Sequence, residues 1–202
     1  MRESEKSLSI MSTRERKSIP SDLYTEEYFL TACEGYDVFL ESEGQHLSRR
    51  LRDAFEVADV QPGMRLLDVG SGRGEILRHC MELGVDAFGV DYAEVAAQMS
   101  RDTILTQRDL MVSTVDGDYE DTRVVQAGVC RSDAKRLPFA DEHFDRVLMF
   151  DVVEHLYPWE LHEALLEHLA QAATRHVGRD EKRADGQHRD EGGDERDVLP
   201  DQ

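Results

Sequence analysis

Residues 64–75 read Met-Arg-Leu-Leu-Asp-Val-Gly-Ser-Gly-Arg-Gly-Glu. A short apolar run that ends in glycines on alternate positions is compatible with few folds. Residues 64–69 have the length and composition of a strand buried inside a parallel sheet. Gly70, Gly72 and Gly74 make a turn whose backbone can take φ > 0 and approach a ligand closely. A helix is expected to open from that turn and to aim its first amides at whatever the turn holds. Asp68 stands two residues before the first glycine, at the carboxyl end of the strand, where open α/β sheets bind their ligands. A nucleotide-like ligand is therefore expected over the turn.

The rest of the chain extends this unit. Residues 75–83 read as a helix closed by Gly84. Residues 85–90 read as a second strand with Asp91 at its end, and 93–101 as a second helix with a face of small residues. This strand–helix order predicts right-handed parallel crossovers. Residues 102–123 have no clear period and read as an excursion. A third strand is expected over 124–130, followed by a loop through Asp133 and Ala134, and a fourth over 144–150. Pro158 suits the first position of a further helix, with Leu161, Leu165 and Leu169 as its apolar face. Upstream, residues 20–60 are helical in pattern. Tyr24, Tyr28 and Phe29 cluster at helical spacing, and Leu47, Leu51, Ala54, Phe55 and Ala58 form an amphipathic stripe. Such helices either cap a ligand pocket or pack on the sheet, and packing is expected for most of the stripe. The fold class expected is α/β, a Rossmann-like doubly wound, mostly parallel sheet.

The domain division expected is a disordered leader over 1–19, a helical cap over 20–60, a ligand-binding α/β domain over 61–173, and a polar tail over 174–202. In that tail, 15 of 29 residues are charged. A doubly wound sheet ordinarily continues past its fourth strand, so the domain is expected to be cut short after its fourth or fifth strand, with a changed reading frame near residue 170 as one cause.

Charge narrows the partners. The net charge is -19, of which residues 174–202 carry only -3. Such a surface repels phosphate backbones, and no nucleic-acid partner is expected. Only four of the 24 basic residues are lysine. Cys33, Cys80 and Cys130 match no metal spacing or disulfide framework and read as free thiols. The first 20 residues lack an apolar signal core, and no stretch has the ~18 apolar residues of a membrane helix, so a cytoplasmic protein without a membrane partner is expected.

Asp68, Asp91, Asp133 and Asp151 all fall at or just past strand ends. Placed along one sheet edge, they suit a ligand with hydroxyls, an amino group and a positive centre, and they disfavour a phosphate. A dinucleotide turn, G-x-G-x-x-G, needs glycine at position 75, where this chain has Glu75. Asp91 alone fits either kind of ligand, because NAD sites also place an acid on the ribose. Asp133 also suits a plain turn. Asp151-x-x-Glu154 has the form of a capping box. Together with His155 it also resembles the acid–acid–histidine cluster of metal-dependent methyltransferases, although no clear fourth ligand is present and no metal is assigned. His162 and His168 read as surface residues.

The run 67–74 resembles the first motif of class I S-adenosylmethionine-dependent methyltransferases. Asp91 matches that family's ribose acid, Asp133-Ala134 with Leu137-Pro138-Phe139 resembles its adenine-side loop, and 144–156 resembles its fourth motif as written in the small-molecule branch. The four motifs occur in order over about residues 60–170. The resemblance implies S-adenosylmethionine as cofactor and a small-molecule methyl acceptor. It implies that Gly70, Ser71, Gly72 and Gly74 wrap the methionine part while Asp68 orients its amino group. Asp91 would take the ribose hydroxyls, with Tyr92 flanking the adenine. Asp133 would accept from the adenine amino group, and the backbone of Ala134 would donate. Phe150 and Asp151 would line the mouth where the methyl passes. His155, with Glu154 behind it, is the candidate general base. Two other functions remain open at this point: a cofactor-binding protein without turnover, and an NAD-binding oxidoreductase fragment.

Overall fold

The computed structural model describes residues 18–113 and 124–172. Strands β1 (Arg65–Val69), β2 (Asp86–Asp91), β3 (Ala127–Arg131) and β4 (Arg146–Leu148) form one sheet in the order β3-β2-β1-β4. Every pairing is parallel; Leu67, for example, lies opposite Phe88 on one side and Val147 on the other. The helices are α1 (Tyr36–Glu41), α2 (Arg49–Val57), α3 (Glu75–Glu82), α4 (Glu94–Ser113) and α5 (Pro158–Ala172). The strand order reverses between β1 and β4, and such a switch point leaves a crevice at the carboxyl ends of the strands.

The core follows from the period of two along β1. Leu66 joins Phe55, Leu77, Met81 and Val85 on one face, under α2, α3 and α4. Leu67 and Val69 join Val90, Leu137, Phe144 and Ala164 on the other, under α5. The stripe on α2 packs as expected, with Leu47 and Leu51 against the first cluster. The helix is capped by the Ser48 side chain, which accepts from the Leu51 amide at 3.3 Å.

Several elements differ from the sequence expectations. The second helix does not stop near 101 but runs on to Ser113 as α4, through the first half of the expected excursion. Its buried face mixes Ala96, Ala97 and Ile104 with Ser100 and Gln107 while Leu105 is exposed, so the sequence has no strong period there; residues 114–123 lie outside the described part. The third strand starts later, at Ala127, because Val124 is 86% exposed and Asp86 takes the Gln126 amide at 2.9 Å. The fourth strand contracts to three residues.

Pro158 does begin α5, but the helix buries residues other than the expected leucines. Glu160, Ala164 and His168 are buried, whereas Leu165 is 45% exposed. Glu160 is held by the Lys135 ammonium at 2.7 Å and the Ser18 hydroxyl at 2.5 Å, and it accepts from the Tyr157 amide at 3.0 Å. That last bond closes the first turn of the helix in the manner of a capping box. His168, expected at the surface, packs beneath the Ala134 carbonyl, and burial lowers its imidazole below the ordinary range.

Of the three thiols, Cys80 is buried and Cys33 and Cys130 are half-buried; all are free. Among the described residues no helix is long and apolar enough to cross a membrane. The leading segment up to 17 and the tail beyond 172 lie outside the described residues.

Candidate cofactor and methyl-transfer site

The crevice at the switch point is a cavity of about 370 Å³. Its floor is the glycine turn. Gly70, Gly72 and Gly74 have φ of 82°, 50° and 84°. The amides of Gly70 and Ser71 both donate to the Val90 carbonyl, at 2.8 and 3.1 Å, which ties the turn to β2. A Cβ on Gly70 would lie 2.1 Å from the Val152 side chain, so the loop after β4 rests directly on this glycine. Helix α4 holds the turn from behind. The Ser100 hydroxyl donates to the Gly72 carbonyl at 2.8 Å and lies 2.9 Å from Ser71 Oγ, from which it can accept, and Thr103 donates to the Arg73 carbonyl at 2.7 Å.

All four strand-end acids line the cavity, together with Gly70, Ser71, Gly72, Tyr92, Ala134, Phe150, Glu154 and His155. Gly74 is not on the wall. It begins α3, where a Cβ would sit 2.9 Å from the Ser100 backbone.

The four acids are not equivalent. Asp133 shares Lys135 with Glu160: the ammonium lies 3.2 Å from Asp133, and the Lys135 amide donates to Asp133 Oδ1 at 3.0 Å. Asp151, at φ +57°, forms an ion pair with Arg50 on α2, and Arg50 also reaches Glu34 at 3.1 Å. Asp91 is buried and accepts from the Gly72 amide at 3.0 Å and the Ala93 amide at 2.8 Å. Burial raises its carboxyl, while those two amides pull it down. Asp68 is 4% exposed and no described residue donates to its carboxylate. Burial, then the charges of Asp91 and Glu75, push it up to about 7. Asp68 and Asp91 therefore give the cavity a negative floor with no cation of the protein paired to either.

The segment before α2 roofs this floor. Tyr28–Ala32 is a single π-helical turn that places Tyr24, Tyr28 and Phe29 over the cavity. His155 lies in the short turn after β4. Its Nε2 is 3.4 Å from the Tyr28 hydroxyl, and its ring meets Tyr24 edge-on at 5.3 Å. Burial raises both phenols, helped by Tyr28 in the case of Tyr24 and by Cys33, Glu154 and Asp91 in the case of Tyr28. Glu154 is exposed and is not bonded to His155, so the partner of the imidazole is Tyr28 rather than the neighbouring acid.

The Asp151–Glu154 capping box does not form: Val152 is the residue before the turn and no side chain caps it. Asp151 faces Arg50 and His155 faces Tyr28. Among the described residues no group of three or more His, Cys, Asp or Glu side chains is placed to hold a metal ion.

Three residues of the site carry no signal in their local sequence. Arg73, 3% exposed, donates to the carbonyls of Phe29 and Glu34 at 2.7 and 2.9 Å and to Glu75 at 2.9 Å. It thus joins the roof to the glycine turn. Lys135 and Arg50 each pair with one of the strand-end acids. Ser18 and Ile19, grouped by composition with the leading segment, also line the cavity.

The family described as a methyltransferase domain matches residues 25–176. Among curated proteins, the chain is similar to the ubiquinone/menaquinone biosynthesis C-methyltransferase of Pseudomonas savastanoi pv. phaseolicola. The two are 35% identical over 139 residues, covering 65% of this chain and 48% of that protein. The corresponding Bordetella avium protein is 33% identical over 125 residues, covering 60% and 43%. The chain spans about half the length of the curated relatives it matches. Among solved structures, the fold is similar to a Thiobacillus denitrificans S-adenosylmethionine-dependent methyltransferase in complex with S-adenosyl-L-homocysteine. The TM-score is 0.50 at 14% identity, over 77% of this chain and 52% of that one. The PH0226 protein from Pyrococcus horikoshii OT3 matches at the same score with 20% identity, over 75% and 57%. With most of its length inside the family match and the glycine turn and strand-end acids in place, the chain belongs to the class I S-adenosylmethionine-dependent methyltransferases.

Proposed function

We propose that the cavity binds S-adenosylmethionine and that the chain transfers its methyl group to a small-molecule acceptor. The observation that carries this reading is the unpartnered, buried carboxylate of Asp68 beside a glycine cradle. A buried acid without a counter-charge is costly unless a cation arrives to meet it. A ligand with an ammonium group supplies one; a dinucleotide would bring phosphates toward two unneutralised carboxylates.

In this reading Asp68 and the backbone of Gly70, Ser71 and Gly72 hold the methionine part. Asp91 accepts from the amides of Gly72 and Ala93, with that of Tyr92 beside them, and a carboxylate's four acceptor sites leave capacity for a ribose hydroxyl. Gly74 sets the start of α3 and shapes the turn from outside. Asp133 and Ala134 take the adenine edge, with Tyr92 alongside. Bound there, S-adenosylmethionine supplies a sulfonium-activated methyl group. The chain's own work is to place the acceptor in line, keep water out and take up a proton where the acceptor has one. Tyr24, Tyr28 and Phe29 form the apolar roof that excludes water. Phe150 and Asp151 frame the mouth. His155, oriented by the Tyr28 hydroxyl, is the group placed to accept a proton. Glu154, exposed at the rim, is left with at most an electrostatic role.

Turnover of S-adenosylmethionine with a panel of small phenols, amines and enolisable carbon acids, followed as S-adenosylhomocysteine release, tests the proposal. Product with one acceptor class supports it. Tight binding of S-adenosylhomocysteine with no turnover on any class would leave a cofactor-binding protein instead. Within the turnover reading, Tyr28→Phe removes one neutral hydrogen bond, worth about 0.5–1.5 kcal/mol. The expected result is a kcat reduced about 2- to 10-fold, with affinity for S-adenosylhomocysteine unchanged.

A further inference from the structure

Glu75 has a contact set that its position alone does not explain. It is the first residue of α3, where an acid ordinarily meets the helix dipole in water. Here the residue is 7% exposed and lies on the cavity wall. Its Oε2 accepts from the Arg73 guanidinium at 2.9 Å. Its Oε1 is buried and has no partner in the protein. Its nearest charged neighbours are Arg73, 2% exposed at the side chain and spent on two backbone carbonyls as well, and Asp68 across the floor. Buried carboxylate oxygens are ordinarily bonded, and one left without a donor on a residue that lines a ligand cavity marks a place for a donor. An ammonium group offers three donors in a compact cation, more than Asp68 can satisfy alone.

We propose that Glu75 is a second recognition residue for the cofactor's amino-acid end, its Oε1 accepting from the same ammonium that Asp68 meets. Arg73 is the positioning residue: by fixing Oε2 it leaves Oε1 as the free acceptor, and its bonds to the Phe29 and Glu34 carbonyls tie that carboxylate to the roof. This inference rests on the S-adenosylmethionine reading of the site and adds a specificity element to it.

The test compares two ligands on one variant by calorimetry. S-adenosylhomocysteine carries the amino-acid end; 5′-methylthioadenosine keeps the adenine, ribose and thioether but lacks it. In Glu75→Gln, the affinity for S-adenosylhomocysteine is expected to fall about tenfold or more, the loss typical of a charge-assisted hydrogen bond, while that for 5′-methylthioadenosine holds. Equal losses for both ligands would show a purely structural residue and overturn the proposal, as would an unchanged affinity for S-adenosylhomocysteine. Should Glu75→Gln not fold, Glu75→Asp keeps the charge on a shorter arm and is expected to show the same selective loss in smaller measure; no selectivity there overturns the proposal equally. Failure of the wild-type chain to bind either ligand is a different result, and refutes the cofactor reading itself.

Discussion

Asp68→Asn is expected to make the free protein more stable at pH 8 and to cripple cofactor binding. The folded chain holds the Asp68 proton up to about pH 7, against 3.8 for the unconstrained group. Between those values the folded state keeps a proton that the unfolded state has released, so this residue's contribution to stability falls as pH rises through that window and is at its worst above 7. The full linkage is on the order of 4 kcal/mol, an upper bound for what asparagine can recover. Denaturant unfolding at pH 5 and pH 8 checks it: the gain of the variant over wild type should be several-fold larger at pH 8. Equal gains at both pH values would show that Asp68 is not a strained acid. Binding should run the other way. Ionised Asp68 is what a cationic ligand meets, so wild-type affinity for S-adenosylhomocysteine should rise with pH through 7, and the variant should lose both the affinity and that dependence. A residue that destabilises the fold while serving the site is the usual trade of an active centre.

Gly70→Ala carries the second large effect, this time in one direction only. At φ +82° a side chain costs about 1–2 kcal/mol in backbone strain. The new Cβ would also meet Val152 Cγ2 at 2.1 Å, an overlap that must push the loop after β4 away at a further ~1–3 kcal/mol. The sum is roughly 2–5 kcal/mol of lost stability, together with displacement of Phe150, Asp151 and His155 from the cavity. Adding Val152→Ala should recover the overlap part and leave the strain part, because the two positions touch and are coupled. Gly72→Ala provides the contrast: its φ is +50° but the nearest atom is 3.8 Å away, so only strain is expected there.

What could be read in the chain was what is local. The apolar run into β1, the glycines after it and the acids at strand ends each announce themselves within a few residues. The sheet order and the cavity at its switch point follow from these. What stayed hidden depends on partners far along the chain. Glu160 and His168 look like surface residues of an amphipathic α5 until Lys135 and the Ala134 carbonyl, from the loop after β3, come to cover them. Arg73 stands between two glycines of the turn, and nothing nearby reveals that its guanidinium holds carbonyls of residues 29 and 34. An arginine between two glycines with an acid two residues on was the available hint. The row of four acids was legible, but not that Lys135 is shared between Asp133 and Glu160 and Arg50 between Asp151 and Glu34, which leaves Asp68 and Asp91 as the two strand-end acids with no cation of the protein paired to them.

The most direct measurement is calorimetry of the whole chain with S-adenosylhomocysteine and with NAD, repeated on Asp91→Ala. Saturable one-site binding of S-adenosylhomocysteine, no heat with NAD, and loss of binding in the variant are the expected results, since Asp91 joins the glycine turn to the ribose position. Binding of NAD in preference, or S-adenosylhomocysteine affinity untouched by Asp91→Ala, would contradict the placement of the cofactor in this cavity.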